Sequence, residues 1–201
     1  MIDDGVIKFV VDHSDGPAPE GEVLMALDRW RSRLHDAGLI GEYAQAGVGY
    51  GNVSARLGDG SVAITGTQTG RAPRLGPHGY TRVLDYDLAR NYVRSAGPLR
   101  PSSETLAHMA LYDAIPGCAA VFHVHDSRAW QALRFRLPTT RPEVPYGTPA
   151  MARELARLYQ DTSFAQDRLA VMAGHEDGLI AFGACLDDAG TVLLTQLRGS
   201  Q

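Results

Sequence analysis

The chain has 201 residues, enough for one domain with a substantial hydrophobic core. Hydrophobic residues make up 44% and charged residues 21%, an ordinary globular balance, and the net charge of −4 leaves no basic footprint for nucleic acid. No apolar run approaches the length of a membrane span, and the opening residues MIDDGVIKFV are acidic, unlike the basic start of a signal peptide. A cytoplasmic protein is therefore expected, with Cys118 and Cys185 as buried thiols rather than a disulfide.

Residues 6–11, VIKFVV, read as a short strand and 13–21, HSDGPAPEG, as a loop. From about Glu20 to Ala37, the residues Val23, Leu24, Leu27, Trp30 and Leu34 form an apolar stripe at helical period. Gly38 is placed to end this helix, whose expected role is packing. Further on, Val53, Ala55 and Leu57 alternate with polar residues, as do Val62 and Ile64, and Gly58-Asp59-Gly60 between them predicts a hairpin. The flanks are rich in Gly, Asn, Ser and Thr. Gly51-Asn52 and either Thr65-Gly66 or Thr69-Gly70 can offer backbone N–H groups and hydroxyls to a phosphate, the plainer reading being flexible turns. Residues 71–80 read as an exposed loop, and Val83 to Asp87 with Asn91 to Arg94 as a second hairpin.

The stretch from Leu99 to Trp130 reads as loop, helix, turn, buried strand and helix start. Pro101, Ser102 and Ser103 form a helix entry, Glu104 is expected in the first helical turn, and Pro116-Gly117 stops the helix. The strand that follows carries His123 and His125. Residues two apart in a strand share a face, so both imidazoles project the same way and can share a metal ion. An H-x-H pair alone is no proof of a metal site, and a first-turn Glu ordinarily serves the helix dipole. A third candidate ligand, His175, follows the apolar run Leu169 to Ala173, and three His ligands leave an open position for water or substrate. Ser127 is expected to cap a helix carrying Ala129, Trp130, Leu133 and Phe135. Four prolines in 137–149 impose extended or turn structure, after which Thr148 caps a helix with Pro149 at its first position. Strands at about 168–174 and 179–183 and a helix from Leu186 to Leu197 close the chain, which predicts a sheet covered by helices.

The pieces GNVSAR (51–56), ITGTQTG (64–70), PSSETLAHMALY (101–112), AVFHVH (120–125), PYGT (145–148) and GHEDGLIAFG (174–183) together resemble the class II aldolase/adducin family. The resemblance implies an α/β fold, a three-layer α/β/α sandwich with a central, largely antiparallel sheet, formed as a single domain over residues 1–201. It implies a divalent metal, Zn2+ foremost with Mn2+, Fe2+, Co2+ or Ni2+ as alternatives, held by His123, His125 and His175. Glu104 would be the catalytic acid/base, and Gly51, Asn52, Thr69, Gly70, Ser102 and Ser103 would bind a substrate phosphate. It also implies a homo-oligomer, commonly a tetramer, with a small-molecule substrate and no nucleic-acid or membrane partner. His108 reads as structural, and His13, His35 and His78 as surface residues.

The chain also departs from the family pattern. GHEDG replaces the more usual His-Gly pair, so Glu176 or Asp177 competes for the metal with His175. The Thr-Gly loop is long, the stretch after Leu137-Pro138 is short, and the chain ends soon after Leu197. The metal centre is thus intact while the parts that choose the reaction are altered. The activity implied is a metal-dependent, aldolase-type lyase that cleaves or forms a C–C bond in a small phosphorylated sugar or hydroxy-carbonyl compound. A bound cation would stabilise the enediolate and a carboxylate would move the proton. The alternative is epimerisation, dehydration or decarboxylation at the same site, and a third reading is a non-catalytic, adducin-like binding module.

Overall fold

The computed structural model describes residues 5–199. Period-two segments become strands β1 (Val10–Asp15), β2 (Gly41–Tyr43), β3 (Val48–Tyr50), β4 (Asn52–Arg56), β5 (Val62–Thr65), β6 (Tyr80–Asp87), β7 (Tyr92–Gly97), β8 (Ala120–His125), β9 (Leu169–Val171) and β10 (Gly178–Gly183). Segments of helical period become α1 (Glu22–Asp36), α2 (Thr105–Ala114), α3 (Ser127–Leu133), α4 (Pro149–Asp161), α5 (Phe164–Asp167) and α6 (Leu186–Arg198). Eight strands form one sheet in the order β1-β7-β6-β5-β4-β8-β10-β9, and β2 and β3 form a separate hairpin. Among these strands only the β1–β7 pair is parallel.

The sheet divides two apolar cores. Val53, Phe122, Val124, Leu179 and Ala181 meet Leu24, Leu27 and Leu34 of α1 and Leu193 of α6 on one face. Val121, Ile180 and Ile64 meet Leu106, Met109 and Leu111 of α2 and Met151 and Leu155 of α4 on the other. The fold is the three-layer α/β/α sandwich with a mostly antiparallel sheet. No helix among the described residues is long and apolar enough to cross a membrane.

Local chemistry sets the helix ends. Gly38, with φ +74°, follows α1, and its N–H donates to His35 O while Leu39 N–H donates to Leu34 O, the paired bonds of a Schellman turn. The Leu39 carbonyl then accepts from His125 N–H at 2.9 Å, tying the end of α1 to the strand of paired histidines. Thr148 caps α4 as expected, its hydroxyl accepting from Met151 N–H.

Several expectations are corrected. The first strand covers Val10–Asp15, not 6–11, so part of the expected loop lies in the sheet. Cross-strand bonds outweigh apolar composition there: the Tyr92 hydroxyl donates to Asp12, and His13 pairs with Ser95 at 2.9 Å, so His13 is half-buried rather than a surface residue. The segment 71–80 is not wholly exposed. Tyr80 is fully buried, with its hydroxyl donating to Asp28 at 3.0 Å. Asp126, not Ser127, caps α3, because its carboxylate accepts from Ala129 N–H. That helix ends at Leu133, leaving Phe135 in solvent. Cys185 is exposed, not buried, and caps α6 through its sulfur. Glu104 immediately precedes α2 instead of lying in its first turn, because Ser102 Oγ accepts from Glu104 N–H and holds a turn there.

Glu154 of α4 gathers the proline-rich segment onto the helix layer. Its buried carboxylate accepts from Arg141 N–H and from the guanidinium groups of Arg141 and Arg157 at 2.6–3.1 Å. These bonds, led by those from Arg157, hold its pKa down at about 2 against an ordinary 4.5. A depressed carboxylate pKa adds stability above the unfolded-state value and loses it as pH falls toward the folded value. Glu154→Gln should therefore cost about 1–3 kcal/mol at pH 7, with the deficit shrinking between pH 4.5 and 2. Denaturant titrations of both proteins across that range check this, and a pH-independent difference would contradict it.

Candidate metal centre

β8 lies in the middle of the sheet and is buried along its whole length. Its parity turns Phe122 and Val124 to one core and Val121, His123 and His125 to the opposite face, where α2 begins. His175 arrives from the turn between β9 and β10, whose register pairs Gly178 with His125. The ring centroids of His123, His125 and His175 stand 5.0, 4.9 and 4.7 Å apart. One ligand atom from each lies within 4.8 Å of the others, a buried group able to hold a metal ion. Neither Glu176 nor Asp177 belongs to that group among the described residues.

Two observations test whether these residues fit a cation. His123 Nε2 is buried with no hydrogen-bond partner, an atom whose lone pair needs one. Burial first, then the neighbouring histidines, holds the His123 pKa well below the ordinary imidazole value, so its ring stays neutral as ligation requires. The Nδ1 sides are already engaged: Asn52 Nδ2 is 3.1 Å from His123 Nδ1 and the Tyr43 hydroxyl is 2.7 Å from His125 Nδ1. Such outer partners fix ring orientation and tautomer. With the Asn52 amide turned so that Oδ1, which lacks a partner, accepts from Nδ1–H, Nε2 of His123 presents its lone pair.

Glu104 is buried beside the triad, with Oε1 4.0 Å from His175 Nδ1. Gly51, Asn52, Thr69, Gly70, Ser102 and Ser103 line the same cleft as Glu104 and the three histidines. The sequence left Thr65-Gly66 and Thr69-Gly70 as competitors. Thr65 Oγ1 is spent within the sheet, accepting from Val53 N–H, whereas Gly66, Thr67, Gln68, Thr69 and Gly70 all border the cleft. Thr69 Oγ1 donates to Gly66 O, so the loop's backbone is its freer contribution.

The sequence reading did not assign a role to Tyr43, Tyr50, Tyr146 or Arg31. Tyr50 stacks on His125 at 5.2 Å and Tyr146 on His175 at 4.4 Å, with Lys8 Nζ 3.7 Å from the Tyr146 ring centroid. Tyr43 and Tyr50 come from the β2–β3 hairpin, whose signal was two aromatics among glycines in GEYAQAGVGYGN. His108, fully buried on α2, pairs through Nδ1 with Ser54 Oγ at 2.7 Å, and burial pushes its pKa down to about 3.

The description Class II Aldolase and Adducin N-terminal domain matches residues 38–195, and the chain belongs to that family. A stretch of 81 residues is 43% identical to methylthioribulose-1-phosphate dehydratase of Sorangium cellulosum, covering 39% of this chain and 35% of that protein. Another of 79 residues is 34% identical to 3-oxo-tetronate 4-phosphate decarboxylase of Haemophilus influenzae, covering 39% and 34%. These matches thus span about a third of each curated relative's length. Among solved structures, L-fuculose-1-phosphate aldolase from Thermus thermophilus superposes with a TM-score of 0.62 at 24% identity, over 89% of this chain and 90% of that one. That likeness shows the shared fold.

Asn52 was expected to hold a phosphate, yet its amide faces His123. Asn52→Ala should weaken divalent-cation binding by about 10–100-fold, measured by competition with a chelating dye. Unchanged cation affinity would leave Asn52 with the phosphate alone.

Proposed function

We propose that the chain is a divalent-metal-dependent lyase acting on a small phosphorylated hydroxy-carbonyl compound. The observation that carries this reading is the convergence of three buried imidazoles with a buried carboxylate at their edge. His123, His125 and His175 would hold the cation, with zinc foremost because tetrahedral imidazole sites suit it, and Mn2+, Fe2+, Co2+ or Ni2+ as alternatives. When bound, the cation supplies a Lewis acid for substrate carbonyl and hydroxyl oxygens.

The chain's own residues do the rest. Neutral imidazoles contribute no charge of their own, so the positive charge of the site is not cancelled. Glu104 stands on the triad's edge and is the group to take a proton from the substrate and return it. Backbone N–H groups of Thr69 and Gly70 with the hydroxyls of Ser102 and Ser103 would hold the phosphate and fix the reacting end relative to Glu104, the Gly66 and Thr67 N–H groups being donated to Gly79 O and Arg100 O. Tyr50 and Tyr146, stacked on two of the three rings, restrict their motion and narrow access for water.

Which bond breaks is a separate question. The sequence favours aldol cleavage, with epimerisation, dehydration or decarboxylation as the alternative. The relatives named above, a methylthioribulose-1-phosphate dehydratase and a 3-oxo-tetronate 4-phosphate decarboxylase, support that alternative. In elimination, Glu104 would remove the proton beside the carbonyl and pass it to the hydroxyl leaving from the next carbon, so that one water departs and Glu104 returns to its carboxylate. The homotetramer implied by the family resemblance and the cytoplasmic location expected from the composition belong to the same reading.

Glu104→Gln should retain the metal and lower turnover by about 10²–10⁴-fold. The measurement is metal content together with product analysis on a panel of phosphorylated ketoses and sugar acids. A dehydrated or decarboxylated product supports the reading and two smaller carbonyl fragments would return it to aldol cleavage. Full turnover by the variant would remove Glu104 from the chemistry.

A further inference from the structure

Helix α1 carries a charge on its apolar stripe. Arg31 lies four residues after Leu27 and three before Leu34, both fully buried, and is itself only 1% exposed. A guanidinium taken out of water is costly unless its donors are satisfied. Here the acceptors belong to one loop. Nη2 donates to Thr69 O and Gly70 O, each at 2.9 Å, and Nη1 donates to Ala72 O. Burial pulls the Arg31 pKa below the ordinary arginine value, while Tyr80, Asp28 and Asp36 favour the charged form, and the group stays protonated.

The consequence follows from peptide geometry. In a trans peptide the C=O and N–H point in opposite directions. Holding the Thr69 carbonyl turns the Gly70 N–H away from Arg31, and holding the Gly70 carbonyl does the same for Arg71. Thr69 and Gly70 border the cleft and Arg31 does not. The loop also packs closely against the β2–β3 hairpin, where a Cβ on Gly70 would collide with the Gly41 carbonyl. The positive ends of these peptides therefore point away from a buried full charge that stands behind them.

We infer that Arg31 is a positioning residue for an anion subsite: it holds the 69–72 loop so that backbone N–H groups, backed by its own charge, face a phosphate or similar oxyanion in the cleft. The inference rests on the phosphate part of the proposed function. It concerns a residue outside the stretch matched to the family, which begins at residue 38.

The test uses the metal-loaded full chain with inorganic phosphate as the probe. Phosphate affinity is read from ligand-dependent thermal shifts, alongside metal content, for the parent, Arg31→Met and Arg31→Lys. The expected result is phosphate binding at least about tenfold weaker in R31M with metal stoichiometry unchanged, and partial rescue in R31K, which keeps the charge but not the fork. Equal phosphate affinity in a folded R31M overturns the inference, and so does parallel loss of metal and phosphate, which marks a merely structural role. Should R31M not fold, R31K decides: weakening by at least about threefold supports the inference and no change overturns it. A parent that binds no phosphate removes the anion subsite and this inference together. A parent that binds it, with unaltered variants, removes the role of Arg31 alone.

Discussion

Strand parity is the constraint on which the site depends. In β8, apolar Phe122 and Val124 face one core, so His123 and His125 must face the other. A shift of one residue would expose the same pair to the α1 and α6 layer and bury Phe122 among the polar groups. Two antiparallel neighbours fix this register: β4 sets Asn52 opposite His123, and β10 sets Gly178 opposite His125. The first pairing supplies the amide beside His123, and the second brings the turn that delivers His175. The apolar core and the imidazole cluster are thus two faces of one alternation.

The elements around β8 bring charge to its polar face in different ways. Glu104 comes from the turn that opens α2, held by Ser102, and the 66–70 loop comes from the end of β5. That loop is secured from α1, whose side chains otherwise serve the opposite core. Helix α1 and the turn that ends it therefore act twice on the site, through Arg31 and through the Leu39 carbonyl that accepts from His125 N–H. A helix whose expected role was packing also positions two parts of the cleft.

Features written in local chemistry were legible in the sequence. The H-x-H strand, the helix opened by Pro101-Ser102-Ser103, the Thr148-Pro149 cap and the two hairpins depend on residues close in the chain. Several of the misses depend on a partner far along the chain. The edge strand β1 is half polar and exists because β7 lies beside it, with His13 meeting Ser95 across the ladder. Tyr80 is buried because Asp28 accepts its hydroxyl. The β2–β3 hairpin is only three residues on each side, too short for periodicity to show. Arg31 did leave a trace: a charge at a stripe position between Leu27 and Leu34 has to find acceptors where water is absent. The pattern GHEDG leaves Glu176 and Asp177 in competition with His175, and the geometry gathers the His175 ring with the other two.

The central claim is that His123, His125 and His175 hold one cation between them. The most direct measurement is anomalous scattering from crystals of the full chain grown with zinc, with data on both sides of the zinc edge. The account predicts one anomalous peak per chain, at the point where the three rings converge and beside Glu104. A peak elsewhere, or none with the three rings in place, would contradict it.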